Sequence, residues 1–227
     1  MKTQKKHVND FGNDSVPGLV LRVSVPFMFA QFVNVMYSIV DRIYIGNIPA
    51  VGADSLAGAG VCAPIITLLS SFATLIGIGG SILFSMRLGQ NDKKDAEKIL
   101  GNCFSTLILF SAALTLIFLL SKGLLLHWFG ASDVTYPYAN TYLTIYTCGT
   151  FFALLSLGMN LFLMSQGFSG MSMLTTLIGA VLNILLDPLF IFVFHMDIAG
   201  AAVATVLAQL ASCIFVLCVL YRKSMPV

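Results

Sequence analysis

An integral-membrane, all-α bundle of six transmembrane helices is the fold class that this sequence predicts. Of its 227 residues, 58% are hydrophobic and only 10% charged, against about 25% charged in soluble domains. Mean hydropathy is +0.92. Several uncharged runs reach the roughly 20 apolar residues that a helix needs to cross the hydrocarbon. So few charges cannot cover a soluble surface, which excludes a disordered chain, a nucleic-acid binder and a secreted disulfide scaffold together. The five cysteines, Cys62, Cys103, Cys148, Cys213 and Cys218, fall in apolar runs without metal-ligand spacing and read as small packing residues.

Taken in order, residues 1–18 form a polar tail, and the apolar run that follows is too long for a cleavable signal and lacks its small-residue cleavage site. The six-helix body is predicted over 19–221. Its first helix covers 19–45, its second 58–86 and its third 99–121. Residues 134–186 carry no charge and no histidine, which is too much for one crossing. The polar, glycine-rich stretch Ser165-Gln166-Gly167-Phe168-Ser169-Gly170 divides them. That gives a fourth helix over 136–164 and a fifth over 171–194. The sixth covers 199–220, and residues 222–227 follow as a short end.

Orientation comes from the loops. With the N-terminus inside, 10 of the 12 lysines and arginines fall on the inner side, and only Arg42 and Lys122 fall outside. This positive-inside asymmetry places both termini in the cytoplasm of a cell (plasma) membrane protein. The charge-rich run at 87–98 reads as a solvated cytoplasmic connection.

Two acidic residues lie within the apolar spans: Asp41 near the end of the first helix and Asp187 in the fifth. Ionisable groups there are costly and often mark ion or substrate pathways. Asp187 lies about 12 Å below the outer surface and Thr205, on the sixth helix, about 9 Å below it. Asn183 is four residues before Asp187, and Tyr37 four before Asp41, so each pair shares a helical face. Polar groups from three helices therefore converge at one depth. Pro188 removes the hydrogen bond to the Ile184 carbonyl beside the carboxylate, and Pro26 is placed to bend the first helix. Stretches such as Gly77-Ile78-Gly79-Gly80-Ser81 and Gly200-Ala201-Ala202 allow close helix approach.

Gly167-Phe168-Ser169-Gly170 also matches the GxSG of intramembrane serine proteases, with His195 downstream. The topology separates Ser169 and His195 by roughly 35–40 Å along one helix. No catalytic dyad can form, and the chain reads as a non-enzyme.

Four stretches carry a family resemblance: VPFMFAQFVNVMYSIVDRIYIG at 25–46, WFGASDVTYPYANTYLTIY at 128–146, GAVLNILLDPLFIF at 179–192 and IAGAAVATVLAQ at 198–209. Together they resemble the N-terminal half of a MATE (multidrug and toxic compound extrusion) transporter, from about residue 15 to 223. The resemblance implies a cation- or proton-binding site at Asp41, Asn183, Asp187 and Thr205, joined by Tyr37 and Tyr142. It allows Na⁺ at the first four of these, gives Pro26 a helix-bending role and suggests Asn34 and Asn160 for a substrate cavity. It also implies one lobe of a 6+6 transporter, with the chain stopping just after the first lobe. Its expected partners are small-molecule drugs, the lipid bilayer and either a missing C-terminal lobe or a second half-transporter, with no nucleic acid. A fragment of a longer gene is favoured over a half-transporter that dimerises.

The expected function is multidrug efflux by antiport. A cationic or amphipathic drug leaves in exchange for inward H⁺ or Na⁺, with no cofactor beyond that coupling ion. A lipid-linked oligosaccharide flippase of the same superfamily and a non-transporting membrane assembly subunit are the alternatives. The topology is testable by cysteine labelling on a cysteine-free background. Residues 87–98 are expected to react from the cytoplasmic side and 122–133 from outside; cytoplasmic labelling of 122–133 would overturn the N-inside arrangement.

Overall fold

The computed structural model describes residues 16–221. Residues 1–15 and 222–227 lie outside these, and with them the expected cytoplasmic tail and end and the charges Lys2, Lys5, Lys6, Arg222 and Lys223. The described chain is helical throughout and contains no strand. Its elements are α1 (Val16–Gly46), α2 (Gly52–Gly89), α3 (Lys93–Trp128), α4 (Tyr136–Cys148), α5 (Thr150–Ser165), α6 (Ser169–Pro188), a π-helical turn (Leu189–Val193) and α7 (Asp197–Leu220). Helices α1, α2, α3 and α7, and α6 with its π-turn, are long and apolar enough to cross a bilayer. The bent pair α4–α5 makes a sixth crossing if it is one span.

The bundle is apolar on its outside, as a lipid-facing surface must be. Leu120 is 80% exposed, Leu75 70% and Leu109 68%. Only 6% of the apolar window of α1 is buried. That helix packs mainly on α6, which in turn packs on α7. Helix α7 also contacts α4 and α5, and α2 lies against α3, α4 and α5. Polar residues bind the helices across their seams. Ser212 Oγ donates to the Thr175 carbonyl (3.1 Å), Asn160 Nδ2 to the Ser172 carbonyl (3.3 Å) and Thr115 Oγ1 to the Thr147 carbonyl (3.3 Å). Such bonds, with small residues at crossings, replace the hydrophobic driving force that lipid removes.

Several boundaries differ from the sequence reading. The helix expected over 136–164 is two helices meeting at 57° around Gly149. A Cβ at Gly149 would collide with the Val206 side chain of α7. The close approach of this distant helix explains the glycine at the break and leaves no mark in a continuous apolar run. The charge-rich 87–98 run is mostly helix rather than loop, since α2 extends to Gly89 and α3 starts at Lys93. Asp92 caps α3 by accepting from the Asp95 N–H at 3.2 Å, and Asn91 makes the turn at φ +60°. Cys148 and Cys218 are exposed and only Cys62 and Cys213 are buried, so interior packing does not describe all five.

Two features bound the helix that carries Asp187. The 165–170 break is a left-handed helix cap: Gly167 has φ +84°, Phe168 N–H donates to the Leu163 carbonyl and Gly167 N–H to that of Met164. At the other end, Pro188 has no N–H to continue the ladder, and the chain widens into the π-turn, with Phe194 N–H reaching the Leu189 carbonyl at 3.0 Å. Tyr44 of α1 meets Phe192 of this turn edge-on at 6.3 Å. Helix α1, by contrast, runs unbroken through Pro26.

The crossing of α2 and α5 provides a stability test. A Cβ at Gly77 would lie 3.0 Å from the Gly158 carbonyl oxygen, whereas one at Gly79 would meet nothing within 4 Å. Gly77→Val is expected to destabilise the protein by about 1–3 kcal/mol. Thermal denaturation in detergent should show a lowered midpoint for Gly77→Val and an unchanged or raised one for Gly79→Val.

Candidate functional site

The polar cluster is assembled from four helices. Helix α1 brings Asn34, Tyr37 and Asp41 on one stripe, because three- and four-residue steps return to the same face. Helix α6 brings Asn183 and Asp187, four apart. Helix α4 contributes Tyr142 and Tyr146, and α7 contributes Thr205 and Gln209, again each four apart. The adjacency of α1 with α6, and of α7 with both α4 and α6, closes these stripes onto one another.

Asp187 is completely buried and Asn183 is 2% exposed. Asn183 Nδ2 donates to Asp187 Oδ1 at 3.2 Å and lies 3.3 Å from Thr205 Oγ1. The Thr205 hydroxyl donates to the Ala201 carbonyl at 2.9 Å, which leaves its lone pairs for the amide. The Asp41 carboxyl adjoins that of Asp187 across the α1–α6 contact. Three buried oxygens here have no hydrogen-bond partner: Asp41 Oδ1, Asp187 Oδ2 and Asn183 Oδ1. Acceptors left bare in this way suit a proton or a hard cation, which takes oxygen ligands. Tyr142 and Tyr146 are both 6% exposed, and their rings stack with centroids 6.4 Å apart.

Two cavities adjoin the cluster. The larger, about 330 Å³, is lined by Asn34, Asn160, Asn183 and Ser212 among others. The smaller, about 260 Å³, is lined by Asp41, Arg42 and Tyr142 among others. Tyr37, Tyr146, Thr205 and Gln209 line both and form the wall between them. Gln209 Nε2 donates to the Tyr146 hydroxyl at 3.2 Å across this wall.

The structure therefore brings Asp41, Asn183, Asp187, Thr205, Tyr37 and Tyr142 into one neighbourhood, and it places Asn34 and Asn160 on one cavity. Pro188 follows the buried carboxyl directly; Pro26 lies two turns before Asn34, away from the cluster. Tyr146, Gln209 and Ser70, which also lines the larger cavity, were missed by sequence reasoning. Tyr146 and Gln209 follow Tyr142 and Thr205 by four residues, the spacing that linked Asn183 to Asp187, so that rule applied twice more would have found them. Ser70 carries no such signal. Ser169 and His195 stay apart: Ser169 opens α6, with its hydroxyl donating to the Arg22 carbonyl at 3.3 Å, and His195 follows the π-turn at the far end.

A multi-pass helical bundle with two adjoining carboxyls and two polar cavities has the form of one lobe of a polytopic membrane transporter. The MatE family model matches residues 26–189, and the chain belongs to that family. The Multidrug export protein MepA of Staphylococcus haemolyticus (strain JCSC1435) is 28% identical over 217 residues, covering 94% of this chain and 47% of its own length. The Probable multidrug resistance protein YpnP of Bacillus subtilis (strain 168) is 32% identical over 207 residues, covering 88% and 44%. A solved structure described as the outward-facing conformation of a multidrug resistance MATE family transporter of the MOP superfamily superposes with a TM-score of 0.84 at 26% identity, over 91% of this chain and 45% of that one. One described as MATE in the bent conformation also gives 0.84 at 26% identity, over 92% and 46%. The chain spans about half the length of the curated relatives it matches.

The hydrogen-bond order within the cluster predicts a hierarchy. Asn183→Ala removes the donor to a buried carboxyl and is expected to cost about 1–3 kcal/mol. Thr205→Ala keeps the Asn183–Asp187 bond and should cost less. Thermal denaturation of the two variants in detergent should rank them in that order; equal midpoints would separate Asn183 from support of Asp187.

Proposed function

We propose that this chain forms one lobe of a cation-coupled multidrug efflux antiporter, with Asp41, Asn183, Asp187 and Thr205 as its coupling-ion site and Tyr37 and Tyr142 as supporting groups. The observation that carries the reading is the Asp41–Asp187 carboxyl pair, the first half-buried on the smaller cavity and the second fully buried, among bare oxygen acceptors. The MepA and YpnP relatives, named as a multidrug export protein and a probable multidrug resistance protein, support it at low identity.

The physical logic is exchange. Uncompensated charge is costly in a low-dielectric interior, so each carboxyl must hold a proton, a metal cation or the charge of a bound drug. Entry of H⁺ or Na⁺ from outside removes the reason for an organic cation to stay, and departure of the ion inward restores it. Alternating access between two lobes converts that competition into net export. The lobe resides in the plasma membrane with both ends of the chain cytoplasmic, and a second lobe completes the path. A flippase for lipid-linked oligosaccharides would need cationic groups for a pyrophosphate. The residues lining the larger cavity include no lysine or arginine.

Expression of the complete two-lobe assembly in an efflux-deficient bacterium tests the reading. Tolerance to ethidium or a fluoroquinolone should rise several-fold. Asp41→Asn and Asp187→Asn should each return tolerance to the empty-vector level at normal expression, since both keep the shape but cannot titrate. Near-normal proton-driven export by Asp187→Asn would remove Asp187 from the mechanism. Imposed ΔpH or ΔpNa across reconstituted vesicles identifies the coupling ion.

A further inference from the structure

We propose that this lobe contains its own ion route, running from the smaller cavity past the carboxyl pair into the larger one, and that Tyr146 and Gln209 form the partition that closes it. This deepens the proposed export function and rests on its assignment of the carboxyl pair to the coupling ion.

The two cavities lie end to end along the bundle, because four helices give them the same order. On α1, Asn34 lines the larger, Tyr37 both, and Asp41 and Arg42 the smaller. On α2, Leu56 and Thr67 line the smaller and Ser70 the larger. On α4, Tyr142 lines the smaller and Tyr146 both, while on α7 Thr205 and Gln209 line both and Ser212 the larger. The smaller cavity reaches Arg42 and Leu56, each within about 6 Å of the α1–α2 turn by helix rise. The larger reaches Asn160 and Thr175, each within about 9 Å of the α5–α6 turn at the opposite end. Together they extend towards both ends of the bundle, with one interruption.

The carboxyl site straddles that interruption. Asp41 lines the smaller cavity, Asn183 lines the larger, and Asn183 Nδ2 donates to Asp187 Oδ1 at 3.2 Å. A proton taken up by the Asp41 carboxylate from water in the smaller cavity would leave to water in the larger, which restores the carboxylate; Na⁺ would pass with no bond broken. An open route would dissipate the gradient that drives exchange, so closure matters as much as passage. Within the wall, Gln209 Nε2 donates to the Tyr146 hydroxyl at 3.2 Å and ties α7 to α4. The Thr205 hydroxyl, by contrast, donates to Ala201 of its own helix. Tyr146 is held firmly, 6% exposed and stacked on Tyr142. The Gln209 amide has no second anchor, since its Oε1 lacks a hydrogen-bond partner. One neutral bond therefore fixes the partition, and breaking it shifts a closed–open balance by about fivefold.

The test reconstitutes the purified 227-residue protein into liposomes and follows proton entry with a trapped pH dye under imposed ΔpH, and Na⁺ entry with radiolabelled Na⁺. The unmodified protein should be nearly as tight as protein-free liposomes. Gln209→Met and Tyr146→Phe keep the bulk but break the bond, and each should raise the flux of one of the two ions about fivefold. Adding Asp41→Asn to Gln209→Met should return that flux to the unmodified level, which a leak through misfolded protein would not do. Tight liposomes with both single variants overturn the partition. A leak of equal size in the unmodified protein overturns it too, and a leak indifferent to Asp41→Asn overturns the route past the carboxyls. Each of these results leaves drug export standing if tolerance still rises in the expression assay.

Discussion

Two carboxyl groups side by side inside an apolar bundle impose the constraint on which the rest of this lobe depends. Asp187 is the one charged residue among the fully buried described residues, and Asp41 adjoins it from another helix. When both are ionised they repel, and at Asp187, which has no exposed surface, no water softens the repulsion. The surrounding groups answer that constraint without cancelling it. Asn183 supplies one donor to Asp187 and is in turn near Thr205, yet oxygens on both carboxyls stay bare. A site made only for stability would satisfy these atoms; left open, they fit the exchangeable charge that the proposed function requires.

Holding that arrangement requires helices at fixed, short separations in a solvent that does not press them together. Small residues provide the approach: Gly77 against Gly158, Gly149 against Val206, Gly200 against the backbone of Phe190. Hydroxyls and amides fasten the seams, as Ser212 does between α7 and α6. The backbone departs from ideal helix beside the carboxyl, where Pro188 gives way to the π-turn, and again at His195 and Asp197, which have φ of +52° and +48°. Departures of this kind cluster at functional sites because the surrounding contacts over-determine them.

The two cavities give the cluster its reach. Tyr37, Tyr146, Thr205 and Gln209 face both spaces, so a change at the carboxyls and a ligand in the amide-lined cavity act on the same side chains. Thr205 is the shortest link: it lines both cavities and lies within hydrogen-bond distance of Asn183, which contacts Asp187. Under the proposed function, coupling between ion and drug needs no long pathway. It needs only that this wall hold two arrangements, each favoured by one occupant.

Much of this was legible in the residues. Apolar runs of span length, the one-sided distribution of Lys and Arg, and two carboxylates where lipid should be are each local statements, and the four-residue spacing of Asn183 with Asp187 follows from helix geometry alone. Depth arithmetic even brought Thr205 to the same level. Other features depended on neighbours distant in sequence. At the Gly149 bend, Val206 of α7 fills the space a side chain would take, and Asp92 caps the α3 part of the charged 87–98 run. Which hydroxyls and amides spend their donors, and which oxygens remain bare, depends on partners up to dozens of residues away, as with Gln209 and Tyr146. The sequence by itself determined that polar groups had to meet inside the membrane, since burying them alone is too costly; only the tertiary structure decided who met whom, because hydrogen bonds are made by position and not by order in the chain.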